Sequence, residues 1–168
     1  DQADAEAMFL LKELMASLGS SHLECRQDGA NFDPTVPAGY LFNPSIAGIE
    51  QADAILIIGS NPRIEATLVN ARIRKRYLQG GLKLGLIGEQ HDLSYPYDYL
   101  GAGPQSLAEI VAGKGAFADV LKKAEKPLVI IGMVAFRRAD GLALHGEIAK
   151  LAETYKLARE GWNGLGIL

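Results

Sequence analysis

One cysteine, Cys25, is all the thiol that the 168 residues hold. It can close no internal disulfide, and alone it cannot hold an iron–sulfur cluster, which is usually bound by four thiolates. Any such cluster would lie elsewhere. Histidine is scarce too: His22, His91 and His145 stand far apart, with neither HExxH nor HxH spacing, so no metal site is expected. Positive charge is in deficit, 17 Lys and Arg against 20 Asp and Glu, and a net charge of -3 gives no electrostatic reason to approach DNA or RNA. Nucleic acid is not an expected partner. No apolar run approaches the roughly 18 residues that cross a bilayer, and the acidic opening DQADAEAM has neither the basic nor the apolar region of a signal peptide. Direct membrane insertion is not expected, and the chain reads as intracellular.

What is present fits an α/β protein: 48% hydrophobic residues, 22% charged residues and 19 glycines. The length suits one domain with a real core. Three apolar runs, Ala54–Ile58, Leu84–Ile87 and Leu128–Ile131, show no alternation. Each ends at a glycine (Gly59, Gly88, Gly132), and helical patterns separate them, which predicts parallel strands covered on both faces. Helices are expected over 62–78, near 105–112 and 115–125, and near 140–157, where Ile148, Leu151, Ala152 and Tyr155 share a face. Residues 4–18 read as a helix with Met8, Leu11, Met15 and Leu18 in one stripe, widened by Leu10 and Leu14, and a stop at Gly19. HLEC (22–25) suggests a short strand. Residues 28–48, with Pro34, Pro37 and Pro44, read as an irregular connection whose length suggests a binding or contact loop. The expected architecture is one α/β domain over 1–168: an N-terminal helix and loop in 1–50, then an open parallel Rossmann-like sheet in 51–168 with its crevice beyond the carboxyl ends of the strands. The opening without Met and the apolar end REGWNGLGIL suggest a fragment of a longer chain.

The stretch DAILIIGSNPRIEATLVNARIRKR carries the main candidate site. Asn61 is a favoured N-cap and Pro62 suits the first helical position, so the turn explains itself as a helix start. Gly59 and the amides near Ser60 could equally receive an anion, because a helix N-terminus carries positive partial charge. The turn lacks both the three-glycine dinucleotide fingerprint and the Lys-Ser/Thr of a P-loop. Arg72, Arg74, Lys75 and Arg76 are either the wet face of an amphipathic helix or a docking surface for an acidic partner. His91 and Asp92, with Asp98 near, could orient a base, but no nucleophile sits in an elbow such as GxSxG, and no catalytic residue is assigned. Tyr95, Tyr97 and Tyr99 could stack on a ring, although packing explains them as well. Arg137 and Arg138 could grip an anion or decorate a loop.

Taken together, GSNPR, NARIRK and YDYLG, in this order between Ile46 and Gly103, resemble the family of large iron–sulfur subunits of the proton-pumping NADH:quinone oxidoreductase, respiratory complex I. The resemblance covers essentially the whole chain. It implies a piece of the domain that is similar to molybdopterin oxidoreductases, and 2Fe-2S and 4Fe-4S clusters only in the N-terminal part of the full-length subunit. The implied partners are other peripheral-arm subunits of complex I. The implied location is peripheral, on the cytoplasmic face of the inner membrane in bacteria or the matrix side in mitochondria. In molybdenum relatives the counterpart of Ile58–Pro62 closes on the pterin dinucleotide and the next strand ends in an Asp-Pro-Arg-like motif. Here Gly88 and Glu89 stand where that motif would begin. The resemblance therefore implies that Gly59, Ser60, Asn61, Pro62 and Arg63 keep the shape of a cofactor turn without a cofactor, and that the segment is a scaffold with no redox centre. Two alternatives are a working molybdopterin-dinucleotide-binding oxidoreductase domain and the central domain of a thiamine-diphosphate enzyme.

Overall fold

Five parallel strands form the sheet in a computed structural model that describes residues 3–23 and 29–168. Strands β1 (Ala54–Ile58), β2 (Lys83–Ile87) and β4 (Pro127–Ile131) lie where the apolar runs predict them, with one further residue at the start of β2 and of β4. They are flanked by β3 (Asp98–Gly101) and β7 (Leu165–Ile167), giving the order β3-β2-β1-β4-β7. The register sets Ile55 beside Leu84 on one side and Leu128 on the other.

Both faces of this sheet are covered, which is why its central strands read as unbroken apolar runs. Ile55, Ile57, Leu84, Leu86, Leu128 and Ile130 point into one core with Val69 and Ile73 of helix α4 (Thr67–Leu78). The alternate residues Leu56, Ile58, Val129 and Ile131 pack on the other face, under α5 (Pro104–Val111), α6 (Ala116–Lys123) and α7 (Gly141–Thr154). On that second face β2 presents Gly85, and the Phe117 ring fills the space: an added Cβ would lie 2.8 Å from it. The chain leaves β1 toward β2 and returns beyond β1 to β4, so the topology switches between β1 and β4, the place where such sheets open a crevice.

Several sequence expectations need correction. The single helix over 62–78 is two: α3 (Pro62–Glu65) ends at Ala66, whose φ of -148° and ψ of 70° leave the helical region, and α4 starts afresh. The break lets Glu65 turn back to the strand end while Val69, Asn70 and Ile73 face the core. Part of the loop expected over 28–48 packs on its own fold, while Val36, Leu41 and Ile46 stay exposed. Just before the short helix α2 (Ser45–Gly48), residues 41–43 cover the outer edge of β7: Ile167 donates to Leu41 O at 3.2 Å, Asn43 N–H donates to Leu165 O at 3.2 Å, and Phe42 bridges Gly166. Unpaired strand edges invite foreign strands, and this segment protects one. Helix α7 stops at Thr154, with Lys156 at a φ of 50°, and the chain folds into a hairpin of β5 (Ala158–Arg159) and β6 (Trp162–Asn163) before β7. The expected strand at 22–25 falls partly on Glu24 and Cys25, which lie outside the described residues. His22 and Leu23 are exposed and belong to no strand. Helix α1 (Ala5–Ser17) forms as expected, capped by Asp4.

Candidate functional site

Ser60 and Asn61 leave β1 at its carboxyl end, after Gly59 takes a φ of 57°. The approach there is close: a Cβ on Gly132 at the end of β4 would lie 2.4 Å from the Gly59 carbonyl oxygen, and one on Gly88 after β2 would lie 3.3 Å from the Gly59 nitrogen. Only glycines let three strand ends meet this tightly. Their amides continue the sheet, with Gly59 donating to Ile87 O at 2.8 Å, Gly132 to Ile58 O at 3.0 Å and Gly88 to Gly101 O at 2.9 Å.

The turn has its own anion. The Glu65 carboxylate accepts from the Ser60 hydroxyl at 2.7 Å and from the Asn61 amide at 3.0 Å. Two donors that could have faced a phosphate are therefore bonded within the chain, and the carboxylate also suits the positive end of α3. Asn61 is not the side-chain cap that its residue type suggests, because it makes no cap bond. Its Oδ1 is instead buried without a partner among the described residues. Glu65 carries no local signal of this role, because it sits four residues after Asn61, whereas the usual capping box places its acid three residues on. Arg63 turns outward to Asp92, at 2.5 Å to the carboxylate and 2.9 Å to the carbonyl. The Ser94 amide and Arg63 together hold the Asp92 carboxyl below the usual range.

Beyond these strand ends lies a cleft of about 410 Å³. Ile58, Gly59, Ile87, Gly88, Leu107 and Val134 form much of its wall, and its charged groups are Arg138, Asp140 and Glu147. Arg138 is taken: its Nε and Nη2 reach Asp140 at 2.7 and 2.9 Å, and this pairing lowers the Asp140 pKa. Glu147 pairs with Lys150 at 2.6 Å. The wall is thus mainly apolar, with two carboxylates to one guanidinium.

The remaining candidates are structural. Tyr95 is buried, donates to Asn70 Oδ1 at 2.7 Å, and burial pushes its phenol pKa well up. Tyr97 donates to His91 O at 2.8 Å, which leaves Tyr99, 43% exposed, as the open ring. The basic run is the exposed face of α4, as expected, and also a clamp. Arg72 and Lys75 both pair with Glu50, holding its carboxyl below the usual range, Arg74 donates to Ser94 O, and Arg76 donates to Ala52 O at 2.8 Å. His91 and Asp92 do not form a base pair with Asp98, since Asp92 is engaged by Arg63 and Asp98 begins β3. Arg137 closes the short 3-10 turn Met133–Arg137. No cluster of His, Cys, Asp or Glu among the described residues could hold a metal ion, and no helix among them is long and apolar enough to cross a membrane.

The parallel sheet, the switch point and the glycine-walled crevice define a doubly wound α/β protein. The chain belongs to the Molybdopterin oxidoreductase family, which matches it over residues 1–168. It is 39% identical over 166 residues to the potato (Solanum tuberosum) protein "NADH dehydrogenase [ubiquinone] iron-sulfur protein 1, mitochondrial", covering 99% of this chain and 22% of that one. It is also 39% identical over 166 residues to a subunit of the NADH-quinone oxidoreductase of Rickettsia bellii, covering 99% and 24%. The chain thus spans about a quarter of the length of these relatives. Among solved structures, the formyltransferase/hydrolase complex (FhcABCD) from Methylorubrum extorquens, in complex with methylofuran, matches with a TM-score of 0.60 and 20% identity, over 99% of this chain and 50% of that one. That likeness speaks for the fold alone.

The family name raises a pterin dinucleotide as a ligand, and the residues present do not fit its diphosphate. The named donors of the turn are spent on Glu65 and on the sheet, and the cleft offers one arginine, already paired. A diphosphate would meet carboxylates where it needs N–H groups.

Proposed function

We propose that this segment is a structural part of the large iron–sulfur subunit of an NADH-quinone oxidoreductase and carries no redox centre of its own. The relatives' names place them in that enzyme, and the matched stretch is a quarter of their length. The iron–sulfur clusters belong to other parts of the full polypeptide, since the segment has a single cysteine. Its partners are other peripheral-arm subunits, and it sits at the membrane by association with them. Gly59, Ser60, Asn61, Pro62 and Arg63 keep the bend of a cofactor turn and no longer hold a guest.

The observation that carries this reading is the Glu65 carboxylate on Ser60 and Asn61. An internal acid pairs two donors of the turn without a ligand, and it repels the phosphate that a working site would bind. One feature favours the alternative of a working dinucleotide site: the buried, unpartnered Asn61 Oδ1, which an N–H of a guest could satisfy. Melting of the purified subunit in GTP separates the two. With the turn closed, millimolar GTP leaves the melting temperature unchanged. A rise of several degrees, or a pterin dinucleotide retained in native mass spectrometry, overturns the scaffold reading.

A further inference from the structure

Helix α1 is well started and, apart from the half-buried Met15, uncovered. The Asp4 carboxylate accepts from the Ala7 amide at 2.7 Å, yet none of the residues Ala5–Ser17 is buried. Phe9 is 60% exposed, Leu10 65%, Leu14 54%, and Leu18 just beyond the helix 70%. At helical pitch, Met8, Leu10, Leu11, Leu14, Met15 and Leu18 span an arc of roughly 160°, with Glu6, Lys12 and Glu13 outside it and Phe9 alone among the large apolar residues on the opposite side. An arc this wide fits a helix laid on a broad apolar face such as a sheet, because the seam between two coiled helices is narrower. A helix of this length is marginal in water without such a cover.

The sheet of this chain has no place for it. One face is taken by α4 and its neighbours, the other by α5, α6 and α7. The match to the potato relative runs over 99% of the chain and so takes in α1, while that relative has more than three quarters of its length outside the matched stretch.

We propose that α1 lays its apolar arc on an apolar sheet face contributed by the same subunit outside these 168 residues, and so ties two units of one polypeptide together. The proposal rests on the exposure of α1 and on the relatives' length, and stands whether or not the turn at Gly59 binds a ligand. The test uses the full-length subunit in its assembled complex, with a photo-crosslinking benzoyl-phenylalanine in place of Leu14. Crosslinks are expected to map to the same subunit, outside residues 1–168, and amides of residues 8–18 are expected to exchange ~100-fold more slowly than in a peptide of that sequence. Crosslinks to residues 29–168, to a second copy or to another subunit overturn the proposal, as does exchange at the peptide's rate. With the probe kept at position 14, Leu11→Asp with Leu18→Asp should abolish both signals, and their persistence would also overturn it.

Discussion

Replacing Glu65 with alanine tests the reasoning about the turn most directly. The substitution removes two hydrogen bonds to a carboxylate, from Ser60 Oγ at 2.7 Å and from the Asn61 amide at 3.0 Å. Bonds to a charged partner contribute about 1.5–3 kcal/mol each where water is excluded. Glu65 itself is exposed, which halves that figure or more, but Ser60 is 5% exposed and its hydroxyl would be left with poor access to water. We expect Glu65→Ala to cost about 2 kcal/mol. Asn61→Ala is the paired control. It loses no cap bond and deletes an unpartnered buried oxygen, so its effect should lie within about 0.5 kcal/mol of zero or favour the fold. Urea unfolding followed by Trp162 fluorescence reads both, because this single tryptophan is buried against the sheet and donates to Pro127 O at 2.9 Å. If Asn61→Ala costs the ~1 kcal/mol typical of a lost cap while Glu65→Ala costs less than half of that, the turn is held by Asn61 and not by Glu65.

Gly132→Ala should destabilise by about 3 kcal/mol, because the new Cβ meets the Gly59 carbonyl at 2.4 Å and neither backbone can yield, whereas Gly146→Ala, in open space within α7, should stabilise by about 0.5 kcal/mol. Equal effects in thermal melts would show that the strand ends do not meet as described. Tyr95 gives a pH signature. Its folded-state pKa is raised above the ordinary phenol value of about 10, so the folded chain keeps a proton that the unfolded chain loses, and stability falls above about pH 10 by up to 1.4 kcal/mol per pH unit. Tyr95→Phe should flatten that decline while costing about 1 kcal/mol at neutral pH through the lost bond to Asn70. An unchanged alkaline slope in the variant would mean that Tyr95 ionises within the fold.

The parts legible in the sequence were those where local composition and tertiary role coincide. Ala54–Ile58 reads as a strand because all five side chains are buried, one set on each face. The edge strands carry no such mark. β3 begins at Asp98, its first two residues are exposed, and β7 is three residues long, so neither shows a run or an alternation to detect. The basic residues 72–76 were legible as a charged helix face, but Glu50, which clamps two of them, lies more than twenty positions earlier. The loop 28–48 looked like a contact loop because its prolines and glycines announce only that it is irregular. What it covers depends on where β7 arrives, at the far end of the chain.

Hydrophobic periodicity and the glycine stops were enough to settle the parallel α/β sheet, its central strands and the bend after β1, since each follows from residues that neighbour one another. The family motifs carried the kinship as well. The occupancy of the bend was decided in three dimensions. Ala66 breaks the helix, Glu65 swings back onto Ser60 and Asn61, and the strand ends close on one another through their glycines. A carboxylate fills an anion's place only when the backbone brings it there, and that is a matter of geometry that composition does not record.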